Sequence, residues 1–300
     1  MSLLQFQRIN SMEKNVQQQT INHHIEIQGI GLHSGVNVNM RLLPAAVDQG
    51  IVFRRTDLPQ MHDIKITPFN ITEAVMCTLL VSPNDKTITI STIEHLMSAL
   101  CMFEVDNVIV EIDAPELPVM DGSSIAFVEA LQKVGVKAQD KKRQMIKVLK
   151  TIRVTDEDKF AEISPSDETR YRFEIKWDHP VIAATPLVVE FSGNQQEYIA
   201  QVAKARTFGF VEQLEYLHAN NLAKGASLDN AVGVTNEGVA NPEGLRYPDE
   251  FVKHKLLDAI GDFYVGGAIL GYFNCYKSGH TLNNKLLRAL FADKSAWKLC

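Results

Sequence analysis

Twice along this 300-residue chain, short runs of alternating apolar and polar residues give way to helical spacing, and nowhere do strands and helices alternate one for one. The first set comprises HHIEIQGIGL, VNVNMRLLP, GIVFRRT, DIKITPF, EAVMCTLLV and KTITIST, followed by the helical TIEHLMSALCMF, the strand NVIVEID and the helical IAFVEALQKVG. The second restarts at IKVLKTIRVTDEDKFAEISPS and YRFEIKWDHP. It then passes through helical segments beginning near Glu197 and after Phe208, a return to strand at KGASLDNAVGV, and the helices FVKHKLLDAIGDFYVGG and TLNNKLLRALFAD. That order excludes a doubly wound parallel sheet and points to the α+β class.

Local punctuation divides the chain further. Pro83, Asn84 and Asp85 form a turn signal, Ser91 and Glu94 have capping-box spacing, and Gly135 reads as a helix stop. Residues 136–145, centred on QDKKRQ, read as an exposed linker, which puts a domain boundary near residue 140, with domains at 1–140 and 141–300. No internal repeat is visible in the residues. A chain of this length with 45% hydrophobic residues is better accommodated as two ordinary domains than as one.

Within FVKHKLLDAIGD, His254, Asp258 and Asp262 stand at four-residue intervals. At about 100° per residue they occupy an arc of roughly 80° on one helix, beside the apolar Leu256, Leu257 and Ile260. Imidazole and carboxylate one turn apart can both reach a single zinc ion at about 2.0–2.2 Å. The same spacing also makes an ordinary helix-surface pair, so a third ligand from elsewhere would decide between the two.

His95 is the candidate for that ligand, because it opens a helix directly after a strand and can project rigidly into a cleft; an interface histidine is the alternative. Glu94, about 100° around the same helix, can face a water on the metal or can close the capping box with Ser91. His280, after Gly279 and immediately before a helix, is either a helix-start histidine or an acid whose imidazole Asp262 orients and keeps charged. Thr207 sits among aromatics in ARTFGF, where its hydroxyl can cap a helix or donate to a developing oxyanion. GIGLHSG has GxGxxxG spacing and no GK[ST] follows, so it reads as a strand turn that can line a ligand site, not as a Rossmann or P-loop element.

Composition narrows the partners. Thirty-six acidic against thirty basic residues give a formal charge of −6, and no basic block extends beyond Lys141, Lys142 and Arg143. Nucleic acid is therefore not expected as a partner, while a local pocket for a phosphorylated small molecule remains open. Cys77, Cys101, Cys275 and Cys300 have no CxxC spacing, which fits thiols in a reducing compartment. No run reaches the roughly 18 apolar residues of a membrane span, the longest being AVMCTLLV and VGGAILGYF. MSLLQFQRINSMEKNVQQQT lacks the apolar core of a signal peptide, Met12 offers an alternative start, and a cytoplasmic protein is expected.

Seven segments, in order, carry a resemblance to a known family: GIGLHSG, GIVFRRTD, TISTIEHLMSAL, PELPVMDGSS, KARTFGF, GLRYPDEFVKHKLLDAIGD and YKSGHTLNNKLL. From about Gln19 to about Trp297 the chain resembles the zinc-dependent UDP-3-O-acyl-N-acetylglucosamine deacetylases of Gram-negative lipid A biosynthesis. The resemblance implies two similar two-layer α+β sandwich domains whose helical layers pack together. Each domain carries a small insert, the first near residues 57–83 and the second, a βαβ unit, near 205–235.

The same resemblance implies zinc bound by His95, His254 and Asp258, with Glu94 as general base and His280 as the charged group assisting departure of the amine. Asp262 would support His280, Thr207 would donate to the oxyanion, and Lys255 would meet the substrate near its diphosphate. Lys159 and Trp177 correspond to further contacts at the uridine diphosphate end, and Phe208 and Phe210 to the wall of an acyl passage. The substrates implied are UDP-3-O-acyl-N-acetylglucosamine and water, acted on by a monomer without stable membrane insertion, though transient proximity to a membrane is compatible with an acylated substrate.

Overall fold

Alternation of buried and exposed residues makes each principal strand amphipathic: in Asn37–Pro44, for example, Val38, Met40 and Leu42 turn inward while Asn37, Asn39 and Arg41 face solvent. The computed structural model describes residues 17–300. Met12 and most of the stretch MSLLQFQRINSMEKNVQQQT lie outside the described residues.

Ten of the strands assemble into two five-stranded sheets of the same topology. The first runs Ile25–Ile30, Asn37–Pro44, Val108–Ile112, Ile51–Arg55, His62–Lys65, and the second runs Ile152–Asp156, Lys159–Ser164, Tyr272–Tyr276, Arg170–Glu174, Val188–Phe191. In each, the middle strand enters last along the chain, antiparallel to its neighbour on one side and parallel to the one on the other. A duplicated architecture is therefore present although no repeat is legible in the residues.

Seven helices accompany the sheets among the described residues: α1 (Glu94–Met102), α2 (Ile125–Val134), α3 (Pro180–Ala183), α4 (Gln195–Gln201), α5 (Leu214–Ala219), α6 (Glu250–Tyr264) and α7 (His280–Ala292). The helix expected near Glu197 begins at Gln195, and Gly135 ends α2 with a φ of 72°. Helix α6 packs against α1, α7 and the strands Arg170–Glu174 and Val188–Phe191, so the helices belonging to the two sheets meet at α1 and α6. This is a mixed α+β sandwich: the α+β class agrees with the strand and helix pattern, and the sandwich is the architecture that the family resemblance implied.

Two local expectations are corrected. Residues Val136–Lys142 form a strand antiparallel to Gln17–Ile21, with Ile21 opposite Val136 and Thr20 opposite Lys137. Their charged side chains do face solvent, but the backbone is paired with a segment more than a hundred residues earlier, which a local reading could not reveal. The boundary expected near residue 140 falls within this strand. The capping box does not form either: Ser91 lies in the strand Thr89–Ser91 and points its hydroxyl at the carbonyl of Pro115 (3.3 Å), while Ile93 occupies the N-cap of α1. Glu94 accepts a hydrogen bond from Thr78 instead.

Gly261 sets how closely α1 and α6 approach. A Cβ built on it would lie 2.0 Å from the carbonyl oxygen of Glu94, a backbone atom that cannot swing aside. Gly261→Ala gains about 1 kcal/mol of helix propensity yet forces the helices apart. The net cost should sit toward the upper end of the about 1–3 kcal/mol typical of overpacking. A lowered urea midpoint at unchanged m would report it, and an unchanged midpoint would count against this crossing as a tight constraint.

Candidate metal centre and cleft

Every residue of α6 except Lys255 is buried, and so is every residue of α1 except Cys101. Helices so enclosed should be apolar throughout, because an unpaired buried charge is costly. Yet these two carry Glu94, His95, His254, Asp258 and Asp262, all 4% exposed or less. Such a concentration needs a compensating partner.

Three of these groups converge. The Nε2 atoms of His95 and His254 each lie 3.4 Å from Asp258 Oδ1, and one ligand atom from each residue falls within 4.8 Å of the others. The His254 Nδ1 donates to the carbonyl of Ala205 (3.0 Å). A carbonyl only accepts, so the hydrogen is on Nδ1 and the lone pair on Nε2 faces inward. Burial pushes the His254 imidazole down to about 3, against the pull of Asp258, which keeps it neutral. Asp258 Oδ1 is itself buried and without a hydrogen-bond partner. The His254 Nε2 lone pair and the His95 Nε2 atom, both directed at an orphaned carboxylate oxygen, form a site that a divalent cation fits, and two imidazoles with one carboxylate are a suitable donor set.

A second group stands beside it. Burial pushes the Glu94 carboxyl upward, opposed by His280 and His95. Its Oε1 lies 3.9 Å from His280 Nε2, while His280 Nδ1 donates to Asp262 Oδ2 (2.9 Å). Burial alone would lower the His280 imidazole, but Asp262 and Glu94 outweigh it and lift it to about 9. Asp262 is thus turned from the His95, His254 and Asp258 cluster toward α7, where Asn283 Nδ2 also donates to it (2.8 Å).

Glu94, His95, His254, Asp258 and His280 line one cleft of about 260 Å³ together with Thr207, Lys255, Trp177, Phe208 and Phe210. Lys255 bonds Asp258 Oδ2 at 2.6 Å, so that one carboxylate oxygen faces the imidazoles and the other an ammonium. Trp177 meets Phe208 edge to face at 5.5 Å, and Phe208 meets Phe251 in the same manner at 4.9 Å. Lys159 opens the strand Lys159–Ser164, stands 3.9 Å from Asp156 and is not among the residues lining the cleft.

An apolar passage of about 290 Å³ adjoins the cleft and shares Thr207, Phe208 and Phe210 with it. Its walls come from the parallel strands Phe208–Phe210 and Val232–Val234 and from α5 between them, with Leu214, Leu217 and Leu228 facing inward. The GIGLHSG turn closes one side through Leu32 and His33, whose carbonyls accept the N–H groups of Gly225 and Lys224. Glu116 pins that turn by accepting from the N–H groups of His33 and Ser34, 2.8 Å each. A larger cavity of about 390 Å³ lies at the opposite end of α1 and α6, but Arg143 there is already paired with Glu104, Asp106 and Tyr264. The unsatisfied Asp258 Oδ1 and His95 Nδ1 belong to the smaller cleft.

Three contributors are not singled out by the sequence. Thr78 bonds Glu94 and Asp262, Asn283 supports Asp262, and the Ala205 carbonyl fixes the His254 tautomer. Asn283 was within reach, one turn beyond His280 on α7, whereas the other two act through contacts distant in the chain. Among the described residues, no helix is long and apolar enough to cross a membrane.

Comparison with known proteins finds relatives along nearly the whole chain. Residues 18–292 match the model of the family described as LpxC, UDP-3-O-acyl N-acetylglycosamine deacetylase. A protein of Francisella tularensis subsp. tularensis (strain SCHU S4 / Schu 4), named UDP-3-O-acyl-N-acetylglucosamine deacetylase, is 65% identical over 283 residues, covering 94% of this chain and 99% of the relative. One of the same name from Shewanella frigidimarina (strain NCIMB 400) is 49% identical over 285 residues, covering 94% and 92%. A match spanning both sheets and all of the converging side chains leaves one conclusion: this chain belongs to the LpxC, or UDP-3-O-acyl N-acetylglycosamine deacetylase, family.

Proposed function

We propose that the protein hydrolyses the N-acetyl group of UDP-3-O-acyl-N-acetylglucosamine to acetate and the free amine, with zinc held by His95, His254 and Asp258. The observation that carries this reading is the orphaned Asp258 Oδ1 facing two imidazole nitrogens, beside a buried carboxyl and a charged imidazole in one cleft. Zinc bound there supplies a Lewis acid, which brings the pKa of water toward about 7 and polarises a carbonyl.

The chain supplies the rest. Glu94, its carboxyl raised by burial, takes the proton of the attacking water. Thr207, held through its N–H on Gly122 (2.7 Å) and its carbonyl on Val232 (2.8 Å), donates to the oxyanion. His280, charged and oriented by Asp262, stabilises that intermediate, and it or protonated Glu94 delivers the proton to the departing nitrogen. The apolar passage receives the acyl chain along Phe208 and Phe210, each methylene removed from water contributing about 0.8 kcal/mol.

At the other end, Trp177 offers a ring for the uracil and Lys255 a cation for the diphosphate; Lys159 is the weaker candidate, standing outside the cleft lining. The unpaired Cys77, Cys101, Cys275 and Cys300 support a reducing, cytoplasmic setting. The identical sheet topologies support two domains meeting near residue 140, with His95 from the first and His254 and Asp258 from the second.

Acetate release from UDP-3-O-acyl-N-acetylglucosamine, measured before chelation, after it and after zinc is restored, tests the proposal. Activity that disappears and returns with the metal is expected; none from zinc-replete protein would overturn it. The charge on His280 adds a pH signature. Its protonated form persists up to about 9, so kcat/KM should fall as pH rises through that value. Asp262→Asn removes the largest influence opposing burial, so the alkaline limb should move to lower pH; a limb that stays put would take His280 out of this role.

A further inference from the structure

Thr78 is a neutral, 3% exposed residue just before the strand Leu79–Val81, yet most of its polar capacity is directed at the reaction centre. Its N–H donates to Glu94 Oε2 at 3.1 Å. Its hydroxyl donates to Asp262 Oδ1 at 2.5 Å, and the same oxygen lies 3.1 Å from His280 Nδ1. A hydroxyl has one hydrogen and an ionised carboxylate only accepts, so the hydrogen goes to Asp262 and the oxygen lone pairs face the His280 Nδ1–H. That N–H therefore sits between two acceptors, Thr78 Oγ1 and Asp262 Oδ2, which fixes the plane of the ring and directs Nε2 toward Glu94.

The three groups come from different helices. Glu94 is on α1, Asp262 on α6 and His280 on α7, and no hydrogen bond joins Glu94 directly to either of the others among the described residues. Thr78 contacts all three. Its own position is set by the ladder that pairs Leu79 with Ser91 and by its carbonyl accepting from the N–H of Thr92 (3.1 Å). Met76 and Thr92 on either side of this contact hold φ values of 63° and 59°, strain of a kind that persists where the surroundings over-determine the backbone.

We propose that Thr78 is a positioning residue: its side-chain hydroxyl and backbone N–H together hold the His280 imidazole and the Glu94 carboxylate at the separation that proton transfer uses. This rests on the proposed deacetylase reading. The role belongs to the hydroxyl for Asp262 and His280 and to the main chain for Glu94, so side-chain substitution breaks one half of the bracket and leaves the other.

The test compares Thr78→Val, which keeps shape and N–H but removes the hydroxyl, with Thr78→Ser, which restores it, in zinc-replete full-length protein with UDP-3-O-acyl-N-acetylglucosamine. For Thr78→Val, kcat should drop by about 10- to 100-fold, the scale of a displaced reacting group, with KM and zinc stoichiometry unchanged. Thr78→Ser should recover most of that loss. The proposal is overturned if Thr78→Val stays within about threefold of wild type in kcat, if KM or zinc content changes in step, or if Thr78→Ser is equally impaired. Should Thr78→Val not fold, Thr78→Ala is held to the same criteria. If only hydroxyl-bearing chains fold, Thr78 is a stability residue and the proposal is likewise overturned. A zinc-replete wild-type protein that releases no acetate would sink the function and this inference together, whereas an active wild type with an indifferent Thr78→Val sinks only this one.

Discussion

With zinc held as proposed, replacing His95 by alanine should strip it and lower kcat/KM by more than about a thousandfold, a larger loss than Thr207→Ala should produce. The difference follows from what each side chain holds. His95 Nε2 is one of three groups around Asp258 Oδ1, and without it two ligands on a single turn of α6 face the cleft alone. Outer-sphere changes already cost about 10- to 100-fold in metal affinity or activity, so a missing ligand should exceed that. In the proposed mechanism Thr207→Ala removes one oxyanion donor, worth about 2.7–4 kcal/mol in comparable sites, and leaves the proposed metal ligands intact. Zinc stoichiometry measured beside the kinetics separates the two, and equal losses at full zinc occupancy would refute the ranking.

Glu94→Gln is expected to keep the zinc and lose the reaction. Glutamine retains the shape and an oxygen that accepts the Thr78 N–H, but it cannot take a proton from water. Loss of a general base costs about 10²- to 10⁴-fold, and that loss should fall in kcat. Because burial already disfavours the Glu94 charge, a neutral amide in its place should melt no earlier than the wild type. Zinc content below that of wild type, or kcat within about tenfold of it, would mean that Glu94 is not the base.

The chemistry on α6 was legible because a helix converts spacing into direction. His254, Asp258 and Asp262 stand one turn apart whatever surrounds them. His95 and His280 were recognisable as candidates from their places at helix starts, and the family resemblance joined them to the stripe. Spacing alone could not have done so, because the contact between α1 and α6 depends on Gly261, which reads as an unremarked mid-helix glycine.

Local signals failed where a distant group claimed the residue. Ser91 and Glu94 have the spacing of a capping box, but the Glu94 carboxylate is taken by Thr78 and the cleft. QDKKRQ has the composition of a linker, but Gln17–Ile21 supplies a partner for its backbone. The twin sheets share topology without visible repetition, since strand pairing is made by backbone hydrogen bonds and asks of side chains little more than alternation.

Periodicity in the residues alone determined most of the principal strands and helices, which of their faces are apolar, and that an imidazole and two carboxylates share one narrow stripe. Tertiary packing alone decided that His95 meets that stripe, that Asp262 turns away from it toward His280, and that Thr78 joins the two halves of the site. The first set depends on bond geometry that repeats every few residues. The second depends on burial and hydrogen-bond satisfaction between segments as far as 202 residues apart, which no local window contains.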